Sequence, residues 1–495
     1  MYLRSQPEFP TLGTFLEHLR GAGDLVTVAA AADPHLEITE IHRRTIAGGG
    51  PALLFSHPTG PAPLPIAVNL FGTPDRVAAG LGTTPSGIPA LGRFLAWLRA
   101  PAPPKSLAEA RTMMPGLRAA LWSRPRRLAR DPFADLEPDF RHLPVQTCWP
   151  GDAGPLITWP IVVTRPPGAD DVGRYNLGIY RMQVLDGSRA ILRWLPMRGG
   201  AAHHRQWAAL GADMPVAVVV GADPATMLAA VMPAPENVTE LALAGLLGGR
   251  RATLVPCRSV PLHVPASAEI VLEGTVSPDD TALEGPFGDH TGYYNAPQLF
   301  PVFRLKRLRV RPAAVYASTF TGRAPDEPSV IGAVMADLFL PLLQQQIPEV
   351  VDLWLPPEAC SYRIAVVSIA KRYPGQARRV MMGLWSLLPQ FTMTKFIIVV
   401  DDDIDARSWA DVMWAVATRS DPSRDLVQVD RTPVDHLDFA SALPGLGGKL
   451  GIDATTKILA EGRAEYAAMI MPDAAVGERV ARRWNEFFPK LEVQP

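Results

Sequence analysis

Residues 269–295 of this 495-residue chain read EIVLEGTVSPDDTALEGPFGDHTGYYN. Residues 269–276 have the β-branched, apolar pattern of a strand, and the Gly- and Pro-containing loop that follows excludes a regular helix. Similar strand patterns lie on both sides, with mostly short helices between them, at 157–163, 180–185, 190–195, 216–220, 302–310 and 314–319. This spacing predicts a middle domain resembling a β-barrel.

The segments before and after this region alternate helix and strand patterns, which is typical of α/β domains. The N-terminal patterns are a helix at 12–21, a strand at 25–28, a helix at 36–46, and strands at 52–55 and 66–70. The C-terminal patterns are strands at 364–369, 396–400 and 426–429, with helices at 377–388 and 406–418. The predicted fold is α/β (α+β multidomain), with domains at 1–120, 121–325 and 326–472.

Two further segments mark boundaries. A Pro-, Arg- and Ala-rich tract at 100–144 predicts a linker. The tail at 473–495 predicts a C-terminal helix that starts with Asp473 as its N-cap. One face of this helix combines four apolar residues with three neighbouring arginines, namely Val476, Val480, Trp484 and Phe487 beside Arg479, Arg482 and Arg483. Such a face suits either a subunit contact or a membrane surface.

Composition excludes several classes of protein. The chain has 48 Lys and Arg against 49 Asp and Glu, so it lacks the basic field that a nucleic-acid partner requires. Its three cysteines form no CxxC, which argues against a zinc site or a disulfide framework. The N-terminal residues show no signal-peptide pattern, and the apolar runs are too short to span a membrane. We therefore expect a cytoplasmic protein.

The loop 284–295 is the densest polar cluster in the sequence. Glu284 and Asp289 lie five residues apart around Gly285, Pro286 and Gly288. Neighbouring carboxylates push their pKa values apart, which suits general acid and base catalysis. The alternative is an ordinary turn with solvated acids.

Two segments upstream contribute arginines. In NLGIYRMQ, Arg181 either faces solvent or forms a structural ion pair, or it meets the Glu284 and Asp289 loop or an anionic substrate. In RWLPMRGGAAHH, the Arg198-Gly199-Gly200 turn either cradles a phosphate or is a simple tight turn. Neither a P-loop nor a dinucleotide-binding fingerprint is present. Glu240 and the Asp401-Asp402-Asp403 run each favour a helix-capping interpretation.

Taken in order, these segments resemble the UbiD family of decarboxylases, and within it the polyprenyl-hydroxybenzoate decarboxylases of ubiquinone biosynthesis. The similarity rests on a series of segments along most of the chain: NLGIYR, RWL followed by RGGA, TELALAGLLGG, VPASAEIVLEG, EGPFGDHTGYYN, TGRAPDEPSV, LPPEACSYR, TKFIIVVDDD and LGGKLGIDAT.

The resemblance implies residue roles. Arg181, Glu284 and Asp289 take the positions of the family's catalytic network, with Asp289 as a protonated donor. Asn176 and Glu240 take those of the ligands of a divalent metal, Mn²⁺ above all, which joins the protein to the cofactor phosphate; K⁺ is a candidate second cation. The middle domain would bind prenylated FMN through Ile179, Tyr180, Arg181, Arg193, Trp194, Leu195, Arg198 and Gly199.

One departure from the family pattern concerns the metal. Many members have a histidine ligand directly before the Arg-Gly-Gly turn, where this chain has Met197. A thioether is a poor ligand for Mn²⁺. His203 and His204 could compensate only if the chain folds back toward Asn176.

The resemblance leads us to expect non-oxidative decarboxylation of a 4-hydroxy-3-polyprenylbenzoate to a 2-polyprenylphenol in ubiquinone biosynthesis. The alternatives are a related enzyme for another aromatic or α,β-unsaturated acid, and a non-catalytic flavin- or lipid-binding protein. The expected partners are the aromatic acid, a flavin prenyltransferase that supplies the cofactor, and further copies of the chain in a dimer or hexamer. A polyprenyl substrate also implies peripheral contact with the inner face of the cell membrane.

Overall fold

The computed structural model describes residues 4–62, 64–99, 105–168, 171–232, 238–387, 391–462 and 470–488. It confirms the predicted mixed α/β multidomain class. Residues 1–3 of the first predicted domain, residues 100–104 of the predicted linker, residue 388 of the predicted helix 377–388 and residues 489–495 of the predicted tail lie outside these ranges. Within them the α-helices are α1 Leu12–Gly21, α2 Glu37–Ala47, α3 Pro74–Gly80, α4 Ile88–Arg99, α5 Leu107–Ala120, α6 Gly199–Ala208, α7 Pro224–Ala229, α8 Glu240–Gly248, α9 Glu327–Gln346, α10 Gln376–Leu387, α11 Trp409–Arg419, α12 Ala474–Arg482 and α13 Trp484–Phe487.

The N-terminal sheet has four strands in the described chain, in the order β1-β2-β3-β16. Its strands are β1 Leu25–Val28, β2 Ala52–Phe55, β3 Ile66–Val68 and β16 Tyr316–Ala317. We expected residues 314–319 to belong to the middle domain, but Tyr316 pairs with Ile66 in parallel. The local pattern predicts a strand and does not reveal its partner, which lies 250 residues away.

The middle sheet positions the candidate site. Its nine described strands follow the order β6-β9-β10-β15-β14-β11-β7-β8, with β5 paired to β15. They are β5 Ala134–Leu136, β6 Leu156–Ile157, β7 Pro160–Thr164, β8 Asn176–Ile179, β9 Met182–Val184, β10 Arg189–Leu192, β11 Met214–Val220, β14 Ile270–Glu284 and β15 Gln298–Val310. A small neighbouring sheet contains β4 Arg126–Arg127, β12 Thr253–Pro256 and β13 His263–Pro265.

Strand β11 is buried on both faces of the middle sheet. All seven of its residues are buried, because the sheet has a hydrophobic core on each face. Ala217 and Val219 belong to one core, and Val216 and Val218 belong to the other. A strand buried on both faces has the continuous apolar sequence MPVAVVV instead of an alternating one.

The C-terminal sheet has the order β17-β18-β19-β21-β20 in the described residues. Its strands are β17 Val350–Trp354, β18 Ile364–Ile369, β19 Phe396–Asp401, β20 Leu426–Pro433 and β21 Leu446–Ala454. The acidic run that begins at the last residue of β19 does not cap α11, because Ser408 does so. Asp401 and Asp403 instead bind Arg419 at the other end of that helix, each at 2.7 to 2.8 Å.

Two segments differ from the sequence prediction. The tract expected to be a linker contains α5, which includes Pro115. The tail helix begins after Asp473, as predicted, but Arg483 divides it into α12 and α13, and neither helix has a buried residue. No helix within the described ranges is long and apolar enough to cross a membrane.

Candidate active site

The loop between β14 and β15 places the acid pair at the end of the longest strand pair of the middle sheet. Glu284 is the last residue of β14, and its side chain is fully buried. The backbone N–H of Asn295 donates to the Phe287 carbonyl at 3.0 Å, and the N–H of Phe287 donates to the Asn295 side chain at 3.1 Å. These bonds hold the loop as a closed unit.

Two positions of this loop require glycine, one because of its backbone angle and the other because of a close contact. Gly285 has φ +91°, in the left-handed region that favours glycine. A Cβ atom at Gly288 would lie 2.3 Å from the Trp149 ring. The loop therefore packs directly against Trp149, and this packing fixes the backbone just before Asp289.

Arg181 joins the two acids. Its Nε donates to Glu284 at 2.8 Å, and its Nη1 donates to Asp289 at 2.9 Å. Its Nη2 donates to Asn295 at 2.6 Å, and the Arg181 side chain is only 12% exposed. Arg181 therefore pairs with the acidic loop and does not face solvent.

Arg193 adds a second positive charge to the cluster. Its Nη1 lies 3.4 Å from the Asp289 carboxylate, and its Nε lies 3.9 Å from Glu284. Burial lowers the pKa of Arg193, and the charge of Arg181 lowers it further, while Asp289 and Glu284 act in the opposite direction. Two arginines thus share two buried carboxylates.

The charge state of Asp289 differs from our expectation of a protonated donor. Burial raises the pKa of its carboxyl, but His290, Arg181 and Arg193 together outweigh burial, so the pKa lies below its usual range. In this arrangement Asp289 is ionised. A role as proton donor therefore requires a proton to be delivered to it in each reaction cycle.

His290 is the residue that sequence reasoning left without a role. Its Nδ1 lies 2.6 Å from Asp289 Oδ1, and its Nε2 lies 2.9 Å from Arg363 Nη1. Arg363 directly precedes β18 and also contacts Asp435 at 3.4 Å. A histidine directly after the acid was visible in the sequence, but its contact with Arg363 spans 73 residues and has no local signal.

The predicted metal ligands lie close together. Asn176 is the first residue of β8, and the backbone N–H of its neighbour Leu177 donates to Glu240 at 3.2 Å. Burial raises the pKa of the Glu240 carboxyl, which two backbone hydrogen bonds only partly offset. A cation beside this buried acid would stabilise its charged form. Within the described residues, no group of three or more His, Cys, Asp and Glu side chains is arranged to hold a metal.

The Arg198-Gly199-Gly200 turn forms the start of α6. A Cβ atom at Gly199 would lie 2.1 Å from Asn176 Oδ1, so only glycine allows this backbone to approach the predicted metal ligand. Arg198 makes no side-chain cap for the helix, and the Gly200 N–H donates to the Tyr180 hydroxyl at 3.3 Å. Backbone N–H groups beside an arginine suit a phosphate group.

Near this turn, Met197 is exposed to solvent and His203 is partly buried. Met197 is 52% exposed. His203 Nδ1 lies 2.9 Å from the Thr164 hydroxyl, and Thr164 is the register partner of Asn176. Burial lowers the pKa of His203 to about 4, so its ring is neutral at physiological pH. The chain therefore does fold back to bring this histidine beside the strand of Asn176.

The remaining predicted cofactor contacts lie in the same region. Ile179 and Leu195 pack as partly buried residues, and the Tyr180 and Trp194 rings meet edge to face at 6.4 Å. The indole Nε1 of Trp194 and the Nε of Arg193 are buried with no hydrogen-bond partner. Such orphaned donors suit a polar ligand that would accept from them.

Family models match three segments of the chain. Residues 16–94, 128–324 and 329–454 match the N-terminal, Rift-related and C-terminal domains of 3-octaprenyl-4-hydroxybenzoate carboxy-lyase, UbiD. Together these segments cover most of the sequence.

Solved structures match over nearly the whole chain. The vanillic acid decarboxylase of Sedimentibacter hydroxybenzoicus in closed form shares 26% identity with a TM-score of 0.84, covering 97% of this chain and all of that one. Its open form gives 25% identity and a TM-score of 0.77, covering 98% and 100%. The UbiD-class enzyme HmfF of Pelotomaculum thermopropionicum, in complex with FMN, shares 29% identity with a TM-score of 0.76, covering 92% and 97%.

Proposed function

Because the chain belongs to the UbiD family of decarboxylases, we propose that it removes CO2 from a 4-hydroxy-3-polyprenylbenzoate and releases a 2-polyprenylphenol. The observation that carries this proposal is the buried Arg181 bound to both Glu284 and Asp289. A fixed guanidinium can position a substrate carboxylate, and the acid pair can return a proton to the ring carbon.

The proposed roles follow from the reaction. A carboxylate and one proton become CO2 and a new C–H bond, so each turnover consumes one proton. Asp289 delivers that proton to the carbon that loses CO2. Glu284 is fully buried and binds Arg181, which keeps the guanidinium in one orientation. The positions of all three groups are thereby fixed before the substrate binds.

We propose prenylated FMN as the cofactor, held by Ile179, Tyr180, Arg181, Arg193, Trp194, Leu195, Arg198 and Gly199. The orphaned donors of Trp194 and Arg193 support this assignment, as do the glycine turn at α6 and the FMN bound by the relative HmfF. When bound, the modified flavin supplies the electron sink for the charge left on the ring as CO2 departs. Asn176 and Glu240 would hold a divalent metal at the phosphate end.

The test is CO2 release from a panel of aromatic acids, with protein co-produced with a flavin prenyltransferase. We expect release from a short-chain prenylated 4-hydroxybenzoate, and none from protein loaded with plain FMN. A second candidate substrate is a small hydroxybenzoate, which the likeness to a vanillic acid decarboxylase favours. Turnover of vanillic acid alone would select this second candidate. Equal turnover with plain FMN would contradict the cofactor assignment.

Metal binding provides a separate prediction. Because Met197 replaces a histidine ligand, we expect Mn²⁺ to bind weakly and to be lost on dialysis against a chelator. Met197→His should raise the retained metal, as measured by elemental analysis. The matched control is Met382→His, which changes a similarly exposed methionine on α10, 48% against 52%. Stoichiometric metal in the unaltered protein after chelation would refute the prediction.

The tail supports a proposed contact with a membrane surface. A polyprenyl chain favours the bilayer, since each buried CH2 contributes about 0.8 kcal/mol. Within α12 and α13, Val476 and Phe487 are exposed beside arginines. We expect the protein to co-sediment with anionic vesicles, and higher salt should weaken this binding because it screens the arginines.

Substitutions in the tail test this contact. Trp484→Ala combined with Phe487→Ala should reduce vesicle binding without abolishing turnover of a soluble substrate analogue. Leu107→Ala with Leu121→Ala removes two exposed apolar side chains elsewhere and should leave binding unchanged. If the tail variant instead dissociates into smaller oligomers, the helix is a contact between copies of the chain, which we also propose to associate.

A further inference from the structure

His290 connects the acid pair to the C-terminal part of the chain. It follows Asp289 in the β14–β15 loop, and its ring lies between the Asp289 carboxylate at 2.6 Å and the Arg363 guanidinium at 2.9 Å. The backbone N–H of His290 also donates to Asp289 Oδ1, at 2.8 Å. His290 thus binds the Oδ1 atom of Asp289, while Arg181 and Arg193 bind its Oδ2 atom.

The contact with Arg363 determines where the ring carries its proton. A guanidinium has only N–H donors, so Nε2 of His290 must accept the bond from Arg363. The proton of the neutral ring therefore lies on Nδ1 and points at Asp289 Oδ1. A proton on Nε2 would face the N–H of Arg363, which the charge and the geometry both oppose.

Arg363 is held in place independently of His290. Its guanidinium donates to the carbonyls of Cys360 at 3.1 Å and Leu437 at 3.2 Å, and it lies 3.4 Å from the Asp435 carboxylate. The Tyr362 hydroxyl donates to the same carboxylate at 2.6 Å. Arg363 therefore connects the C-terminal sheet to the active-site loop.

The groups facing His290 favour a charged ring once Arg363 is removed. Burial lowers the pKa of His290, but the charges of Asp289 and Asp435 raise it, and the net pKa lies above its usual value even with Arg363 opposing. Asp326 also faces the ring. Arg363 opposes protonation and contacts the ring directly at Nε2, whereas Arg181 and Arg193 bind the far oxygen of Asp289.

We infer that His290 is a positioning residue that reloads Asp289 with a proton, and that Arg363 controls this step by occupying Nε2. When Arg363 withdraws, a proton from solvent binds Nε2, and the Nδ1 proton passes to Asp289 Oδ1. Asp289 then gives that proton to the substrate carbon. Exchange of the ring proton with solvent returns it to Nδ1, and the bond from Arg363 can form again.

This inference rests on the proposed decarboxylase function, so its first test does not use activity. In ¹⁵N-histidine-labelled protein, NMR at a pH above the His290 titration midpoint should find the neutral ring as the Nδ1–H tautomer, with the signal assigned by its loss in His290→Gln. In Arg363→Met, the His290 titration midpoint should rise by about one pH unit or more, because a facing positive charge is lost. The exposed His57 is the internal control. An unchanged tautomer and midpoint in Arg363→Met would overturn the control step.

The second test uses the holoenzyme. His290→Gln can still donate to Asp289 but cannot relay a proton, so kcat should fall by about 10² with little change in KM. Added imidazole should restore turnover to His290→Gly in proportion to its protonated fraction, which a merely structural role would not allow. Full kcat and an unchanged pH profile in His290→Gln would overturn the inference. If the unaltered enzyme releases no CO2, the proposed function fails, and the NMR experiment still decides the inference.

Discussion

Asp289→Asn should reduce turnover by a factor of about 10² to 10⁴, which is the usual contribution of general acid catalysis. The amide keeps the shape of the side chain but has no proton that it can transfer to carbon. Bound flavin, measured from its absorbance, should remain close to that of the unaltered protein. The rate of CO2 release under saturating substrate is the measurement.

A matched control for this variant is Asp280→Asn. Asp280 is also in an ion pair, with Arg304 at 2.7 Å, but its side chain is 24% exposed, against 8% for Asp289, and it lies away from the acid pair on β14. We expect this control to keep full activity. Near-full activity in Asp289→Asn together with inactive Glu284→Gln would show that the two acids have the opposite roles.

The lowered pKa of Asp289 also makes the stability of the fold depend on pH. A carboxyl with a lower pKa in the folded protein stabilises the fold at pH values above its unfolded pKa, near 4. That contribution is lost as the pH falls from this value through the folded pKa. Acid unfolding of Asp289→Asn should therefore be less steep with pH than that of the unaltered protein.

Much of this arrangement could be predicted from the sequence, because its signals are local. Helix α1 has the predicted bounds, since Thr11 caps it and its apolar residues recur on one face. The pairing of Arg181 with the acidic loop was one of several alternatives, and an arginine within an apolar run needs a partner. The resemblance to a family supplied the roles that the residues alone left open.

The features that the sequence did not reveal depend on distant contacts. His290 was visible, but its role follows from Arg363, which belongs to another sheet. Strand β16 had the right local pattern but joins the N-terminal sheet. The lowered pKa of Asp289 was not foreseen, because the two arginines and His290 that outweigh burial are brought to the carboxyl only by the fold.

Arg181→Met should destabilise the protein and abolish most of its activity. The substitution leaves Glu284 fully buried and Asp289 nearly so, and the remaining arginine, Arg193, lies farther away, at 3.9 Å from Glu284 and 3.4 Å from Asp289, while His290 keeps its contact with Asp289 at 2.6 Å. Removing one partner of a buried ion pair costs about 3 to 5 kcal/mol, and the remaining contacts with Arg193 should place the loss at the lower end. Denaturant unfolding measures the loss. Turnover should fall at least as far as in Asp289→Asn, since the guanidinium holds both acids.

A surface arginine and a compensating variant separate stability from catalysis. Arg407 also binds two carboxylates, Asp337 and Asp352, but it is 42% exposed, so Arg407→Met should cost only about 0 to 1 kcal/mol. Adding Glu284→Gln to Arg181→Met removes a buried unpaired charge and should recover part of the lost stability while leaving the enzyme inactive. If turnover recovers with stability, Arg181 serves the fold alone. If Arg181→Met costs no more than Arg407→Met, Arg193 already neutralises the acid pair, and the central position given to Arg181 is wrong.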